Sequence, residues 1–118
     1  MIRHVLRTAA LCAVVTAAPS AHAEEHAAPA LDAGPADLAA AEKRYKRECR
    51  ACHGPTAKGV ASYPKLAAQP EAYLIDKLLA YRAGETLGPN TPLMAPRAKA
   101  LSDQDIANLA AFISGLPG

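Results

Sequence analysis

The sequence contains 118 residues, of which 13 are basic and 11 are acidic, and about half are hydrophobic. A chain of this length forms one small domain, and four tyrosines, one phenylalanine and no tryptophan supply little aromatic mass for its core. The small net positive charge comes from Arg3 and Arg7 in a predicted export signal. No basic excess therefore remains that would favour nucleic-acid binding.

Residues 1–23 are predicted to be a signal peptide. Two arginines give a positive start, residues 9–18 form an apolar run, and Ala21-His22-Ala23 fits a small-x-small cleavage site. The apolar run is shorter than the about 20 residues that a membrane anchor needs. We therefore expect a periplasmic protein without a stable membrane anchor, which loses Cys12 together with its signal.

Residues 24–36 are rich in alanine and proline and are predicted to be a flexible leader, with His26 as a solvated residue. A helix is predicted from Asp37 onwards, because apolar positions recur at spacings of three and four at Leu38, Ala41, Tyr45 and Cys49. The opposite face is basic. It is either a solvated surface or a docking patch for an acidic redox partner, and its residues are Lys43, Lys46, Arg47 and Arg50.

The clearest chemistry lies in Cys49-Arg50-Ala51-Cys52-His53. Two cysteines three apart share one face of a helical turn, and the histidine adds an imidazole beside them, which is the attachment signature of a c-type haem. We expect Cys49 and Cys52 to form thioethers with one haem c, and His53 to be the proximal axial ligand of the iron. The alternatives are a thioredoxin-like redox pair, half of a zinc site and a structural disulfide. The first lacks a strand–helix context, and the second lacks another pair of ligands.

Residues 54–69 are predicted to form a loop around the cofactor, since Gly54 and Pro55 interrupt the helix. One backbone carbonyl of this loop should accept the ring N–H of His53, although the sequence does not indicate which one. A second helix is predicted from Pro70 to a stop at Gly84. Its inward side chains are Leu74, Ile75, Leu78, Leu79 and Tyr81.

Residues 85–99 contain three prolines and are predicted to be a constrained, non-helical loop with Met94 in its middle. Methionine usually fills gaps in cores. Because the iron needs a second axial ligand, Met94 becomes the leading candidate for the distal one. A last helix is predicted to begin with a cap at Ser102 and to end at Gly115, burying Ile106, Leu109, Ala110 and Ile113.

Together these motifs resemble the single-domain bacterial class I c-type cytochromes over residues 37–116. The resemblance rests on Cys49-x-x-Cys52-His53-Gly54, Tyr63-Pro64-x-Leu66, Tyr73-Leu74, Tyr81-Arg82-x-Gly84, Met94-Ala95-Pro96 and Leu101-Ser102-Asp103-x-Asp105-Ile106. It implies a small all-α fold over residues 37–118, in which three main helices surround one covalently attached haem and the first helix crosses the last.

Two positions depart from the family pattern. Ala41 stands where the family often has glycine at the helix crossing, and Thr86 stands where it often has arginine. The second departure leaves Arg82, Arg97 and Lys99 as candidates for the partner of a haem propionate.

The resemblance implies a one-electron carrier rather than an enzyme. It would pass electrons from an upstream reductase or dehydrogenase to a downstream oxidase or another acceptor. One alternative is a haem-bearing subunit of an exported dehydrogenase complex. Another is a peroxidase or gas-binding haem, which requires an open axial position that Met94 would occupy.

Overall fold

The computed structural model describes residues 30–118, and the regular structure within this range is helical. The elements are α1 (Leu38–Glu48), α2 (Arg50–His53), α3 (Glu71–Ala83), α4 (Thr91–Lys99) and α5 (Asp103–Ser114). The predicted all-α fold is therefore confirmed. The predicted signal peptide, its Cys12 and the leader residue His26 lie outside the described residues.

Helix α1 begins where the sequence predicted. The Asp37 side chain accepts the Ala40 N–H at 2.9 Å, which satisfies one of the unpaired donors at the helix N-terminus. Leu38 was expected in the buried stripe, but its side chain is 54% exposed. Side chains point towards the N-terminus of their helix, so the first residue of α1 projects beyond the helix end. The buried stripe starts one turn later, at Ala41.

Helix α3 ends at Gly84, as predicted. This glycine adopts a left-handed conformation with φ of +87°, and Glu85 N donates to Ala80 O at 3.0 Å. The last carbonyls of the helix thereby find donors in the following turn. Pro70 is the residue before the helix rather than its first residue, and Glu71 stands in the first turn.

The prediction of a non-helical loop over residues 85–99 is wrong in its second half, because α4 occupies Thr91–Lys99. Pro92 lies in the first turn, where its missing N–H would have no partner within the helix. Pro96 lies inside the helix and leaves the Pro92 carbonyl without its usual donor, a defect of about 3 kcal/mol. Packing of α4 against α3, with Thr91 and Ala98 buried, offsets this local cost.

Helix α5 has the predicted cap. Ser102 Oγ accepts Asp105 N–H at 3.1 Å, and Asp105 Oδ2 accepts Ser102 N–H at 3.0 Å. This reciprocal pair satisfies two backbone donors and contributes about 1 kcal/mol. The predicted inward side chains of α5 are all buried: Ile106, Leu109, Ala110 and Ile113.

The core lies where α5 packs against both α1 and α3. Its largest fully buried side chains are Tyr45, Ile106 and Leu109. Ala41 is 2% exposed at the contact between α1 and α5, so the methyl group in place of glycine fits there. No helix within residues 30–118 has the length and apolar character needed to cross a bilayer.

The end of the predicted leader lies against the first turns of α5. Asp32 N donates to Asp103 Oδ2 at 2.9 Å, Gly34 N to Gln104 Oε1 at 2.7 Å, and Leu31 packs on the hydrophobic core. The boundary between leader and domain stays a prediction. Within the described part of the leader, these contacts tie the backbone to α5.

Candidate functional site

The two cysteines and the histidine of the motif lie in one short helical turn that follows α1. Cys52 N and His53 N both donate to Cys49 O, at 3.2 and 3.0 Å, so the three side chains share a single turn of backbone. Cys49 is half-buried against the core, Cys52 is exposed and His53 is buried. The structure therefore brings together the three motif residues that the sequence singled out.

The expected carbonyl partner of His53 is that of Pro64. Nδ1 of His53 lies 3.0 Å from Pro64 O. Because a carbonyl oxygen only accepts, this contact is a hydrogen bond only when Nδ1 carries the proton. Nε2 is then the nitrogen with the free lone pair, and no hydrogen bond within residues 30–118 uses it. A ring held in this way is oriented for metal binding through Nε2.

Backbone hydrogen bonds shape the loop that brings Pro64 to His53. Gly59 N donates to His53 O at 2.9 Å, and Ala57 O accepts from Leu66 N at 2.8 Å and Ala67 N at 2.9 Å. Gly59 has φ of +81°, and a Cβ there would lie 2.5 Å from Tyr63 O. This position requires glycine for two reasons. Its backbone is in the left-handed region, and another segment of the same loop passes close to its Cα.

A tyrosine hydroxyl from α1 binds the start of this loop. Tyr45 Oη donates to Gly54 O over 2.7 Å, and the Tyr45 side chain is 1% exposed. Burial is the main cause that raises the Tyr45 pKa to about 12. The hydroxyl is therefore a proton donor throughout the neutral range.

Met94 lies in α4, half-buried, rather than in the loop that was predicted. One contact places the start of this helix beside the loop that follows the motif. Asn90, which precedes α4, donates to Ser62 O at 3.4 Å.

The three candidate propionate partners differ in their contacts. Arg82 Nη2 forms an ion pair with Asp103 at 2.7 Å, and its Nη1 donates to Leu101 O at 3.2 Å. These contacts hold its guanidinium at the junction of α3 and α5, where it is already paired with a carboxylate. Arg97 and Lys99 form no ion pair within residues 30–118, so the structure favours them over Arg82.

Two of the four residues on the predicted basic face of α1 are paired with acidic neighbours. Lys46 pairs with Glu42 at 2.6 Å, and Arg47 pairs with Glu48. The Arg47 hydrogen bond, followed by the effects of Arg44, lowers the pKa of Glu48, so this carboxylate stays charged. These pairs favour the interpretation of a solvated helix surface over a docking patch at Lys46 and Arg47.

The two cysteines and the histidine of the motif fit a covalently held haem. Both motif cysteines are free thiols, the form that adds to a haem vinyl group. Burial is the main cause that raises the Cys49 pKa to about 11, with the charge of Glu48 adding to it, so this thiol is neutral at neutral pH. His53 offers a ring nitrogen, Nε2, as a metal ligand on the same turn.

Sequence reasoning missed three residues that shape the site: Tyr45 as a hydrogen-bond donor, Pro64 as the acceptor for His53, and Gly59 as the point of close approach. The sequence pattern places Tyr45 only in the apolar stripe of α1. A buried tyrosine needs a partner for its hydroxyl, and this rule indicates that a partner exists without identifying it.

Comparisons with known proteins agree with this geometry. The cytochrome c family model matches residues 38–117 of the chain. Cytochrome c-554(548) of Halomonas halodenitrificans is 46% identical over 79 residues, which cover 66% of this chain and 94% of that protein. The thiosulfate dehydrogenase electron acceptor of Stutzerimonas stutzeri is 39% identical over 80 residues, covering 67% of this chain and 37% of that protein.

A solved structure has the same fold. Reduced recombinant cytochrome c4 from Pseudomonas stutzeri matches with a TM-score of 0.61 and 33% sequence identity, covering 72% of this chain and 52% of that chain. The chain thus spans nearly the full length of the Halomonas protein and about half the length of the cytochrome c4 structure.

Proposed function

Since the chain belongs to the cytochrome c family and is a haem c electron carrier, we propose that it works as a freely diffusing one-electron shuttle in the periplasm. In this proposal Cys49 and Cys52 form the two thioether links, His53 is the proximal ligand and Met94 is the distal ligand. The observation that carries the assignment is the contact between Nδ1 of His53 and Pro64 O, which leaves Nε2 for the metal.

Each of these residues has a defined task. The Pro64 carbonyl accepts a hydrogen bond from the Nδ1–H of His53, which selects one tautomer and raises the basicity of Nε2. The thioether sulfur of Met94 is a soft, neutral donor that favours the reduced state. When bound, the haem supplies a one-electron couple between ferrous and ferric iron. Because Met94 would fill the second axial position, substrates are excluded from the metal, and we assign the protein no catalysis of its own.

This assignment is tested by the mass and the spectrum of the exported protein. Intact mass should correspond to residues 24–118 plus one haem, the haem should resist extraction by acidic acetone, and the protein should fractionate with the periplasm. The ferric protein should show a sulfur-to-iron charge-transfer band that Met94→Ala abolishes. Extractable haem would contradict the thioether assignment. Persistence of the band in Met94→Ala would contradict the ligand assignment.

The charge around the site indicates the kind of partner. Residues 49–70 and 86–102, which contain the motif, its loop and α4, include no aspartate or glutamate. They carry five exposed basic side chains: Arg50, Lys58, Lys65, Arg97 and Lys99. The remainder of the chain holds all the acidic residues. We propose that redox partners approach these two segments through acidic surfaces, which such a charge distribution would attract.

Small redox probes test this charge distribution without a known partner. Reduction of anionic ferricyanide should slow as ionic strength rises, because screening acts within about 10 Å at 0.1 M salt. Lys58→Glu and Arg97→Glu should lower this rate. Lys46→Glu, at a position paired with Glu42 on α1, is the matched control and should leave it nearly unchanged. Equal effects at all three positions would show that only net charge matters.

A second candidate role is a haem-bearing subunit of an exported dehydrogenase. The similarity to a protein named as a thiosulfate dehydrogenase electron acceptor favours it, although this chain covers 37% of that relative. Co-purification of a large catalytic chain with the tagged protein from periplasmic extract would support this role. A monomeric haem protein in the same extract would support the free shuttle.

A further inference from the structure

The hydroxyl group of Tyr45 has no role in packing that a phenylalanine could not fill. The ring lies in the core, 1% exposed, with its centroid 5.9 Å from that of Phe112 in α5. The hydroxyl leaves this apolar cluster and donates to the Gly54 carbonyl at 2.7 Å. Gly54 is itself buried and follows His53 directly in the chain.

We propose that Tyr45 is a positioning residue, whose hydroxyl holds the loop after the motif so that Pro64 O stays in hydrogen-bonding contact with His53 Nδ1. This inference rests on the proposed role of His53 as the proximal ligand. It adds a residue from α1 that acts on the metal only through His53 and the loop.

The connection runs through a short series of backbone contacts. Gly54 O, which accepts from Tyr45, also accepts from Ala57 N at 3.3 Å. Ala57 is fully buried, and its carbonyl accepts from Leu66 N at 2.8 Å and Ala67 N at 2.9 Å. Since Leu66 is two residues beyond Pro64, the position of Ala57 determines where the chain returns towards His53.

The Tyr45 contact differs from the contacts that the Asn90 side chain makes with this loop. Asn90 donates to Ser62 at 3.4 and 3.5 Å, and those two bonds are long and exposed. The Tyr45 bond is short and buried, so water cannot replace it. Burial keeps the phenol protonated, and the bond therefore persists through the neutral pH range.

The proposal predicts a specific effect of Tyr45→Phe on the haem-loaded protein. The ring still packs on Phe112, but Gly54 O loses its short hydrogen bond and the loop opens more often. Backbone amide exchange at Leu66 and Ala67, and solvent exchange of the His53 Nδ1 proton, should each become about tenfold faster. A weaker bond at Nδ1 makes Nε2 less basic, so the reduction potential should rise.

Two control variants separate the hydroxyl from packing and from general stability. Tyr73→Phe removes a phenol hydroxyl from an exposed position on α3 and should change none of these quantities. Phe112→Leu disturbs the ring contact but keeps the hydroxyl, so it should lower the melting temperature without changing the potential.

The outcomes distinguish this proposal from the function on which it rests. In the ferric wild-type protein, paramagnetically shifted His53 ring resonances would establish His53 as a ligand. Their absence would overturn both the proposed role of His53 and the positioning role of Tyr45. With His53 established, faster exchange and a raised potential in Tyr45→Phe alone support the positioning role. A lower melting temperature with unchanged exchange and potential, or an equal shift of potential in Phe112→Leu, would overturn it.

Discussion

Replacement of Gly59 by alanine tests whether the loop is packed against His53 as described. Alanine at φ of +81° costs roughly 1–2 kcal/mol, because Cβ crowds the backbone in the left-handed region. The new methyl would also lie 2.5 Å from Tyr63 O, 2.9 Å from Lys65 N and 3.0 Å from the Pro64 carbonyl carbon. These are backbone atoms, so relief requires a movement of the chain, at a further cost of about 1–3 kcal/mol.

Gly84→Ala is the matched control for this variant. Gly84 has nearly the same φ, +87°, but a Cβ there would have no neighbour within 4 Å. Gly84→Ala should therefore lower the free energy of unfolding only by the cost of the left-handed backbone, roughly 1–2 kcal/mol. Thermal unfolding of both haem-loaded variants should show a larger fall for Gly59→Ala, since each kcal/mol lowers the melting temperature by about 4–8 °C.

The clash at Gly59 also has a functional consequence. The methyl displaces the peptide that carries Pro64 O, and this weakens the hydrogen bond to His53. A redox titration should show a raised potential for Gly59→Ala and an unchanged one for Gly84→Ala. Equal stability losses and equal potentials in the two variants would refute the reasoning, because the crowding at Pro64 would then not exist.

Three further predictions concern other parts of the site and fold. Met94→Ala should lower the reduction potential by roughly 59 mV or more, a tenfold change for one electron, and an unchanged value in a redox titration would exclude Met94 as ligand. Ser102→Ala should lose the reciprocal cap on α5 and about 1 kcal/mol of stability, seen as a lower midpoint in urea unfolding; an unchanged midpoint would speak against the cap. The Asp32 N–H, followed by Arg82, lowers the pKa of Asp103, so this carboxylate stabilises the fold above the ordinary aspartate pKa. That stability is lost as pH falls through the lowered value, so Asp103→Asn should flatten the acid dependence of the melting temperature, and parallel curves would contradict the contact.

Several features of this protein follow from the sequence alone because their causes act within one or two turns of chain. The spacing of Cys49, Cys52 and His53 places three groups on one turn, whatever the rest of the fold does. The cap at Ser102 and the stop at Gly84 depend on neighbours within a few residues. For this reason the single turn that the three motif residues share, the beginning of α5 and the end of α3 were all predicted correctly.

The partner of Arg82 required the tertiary structure, because it is determined by how two helices pack. Arg82 was a candidate for a propionate partner, yet the approach of α3 to α5 places it on Asp103, 21 residues further along. The prolines around Met94 indicated a loop, since local propensity penalises helix there. Packing of α4 on α3 outweighs that penalty. This packing depends on the folded arrangement of two helices, so the local sequence around Met94 does not predict it.

The hydrogen-bond acceptor for His53 shows most clearly which features the sequence predicts and which require the tertiary structure. The sequence predicted that a carbonyl between residues 54 and 69 would bind the ring N–H, because a ligating imidazole needs such a partner. Every residue in that loop has a carbonyl, so composition does not distinguish one from another. Only the folded loop, with Gly59 closely packed against Tyr63 and Gly54 bound by Tyr45, brings Pro64 O within 3.0 Å of the ring.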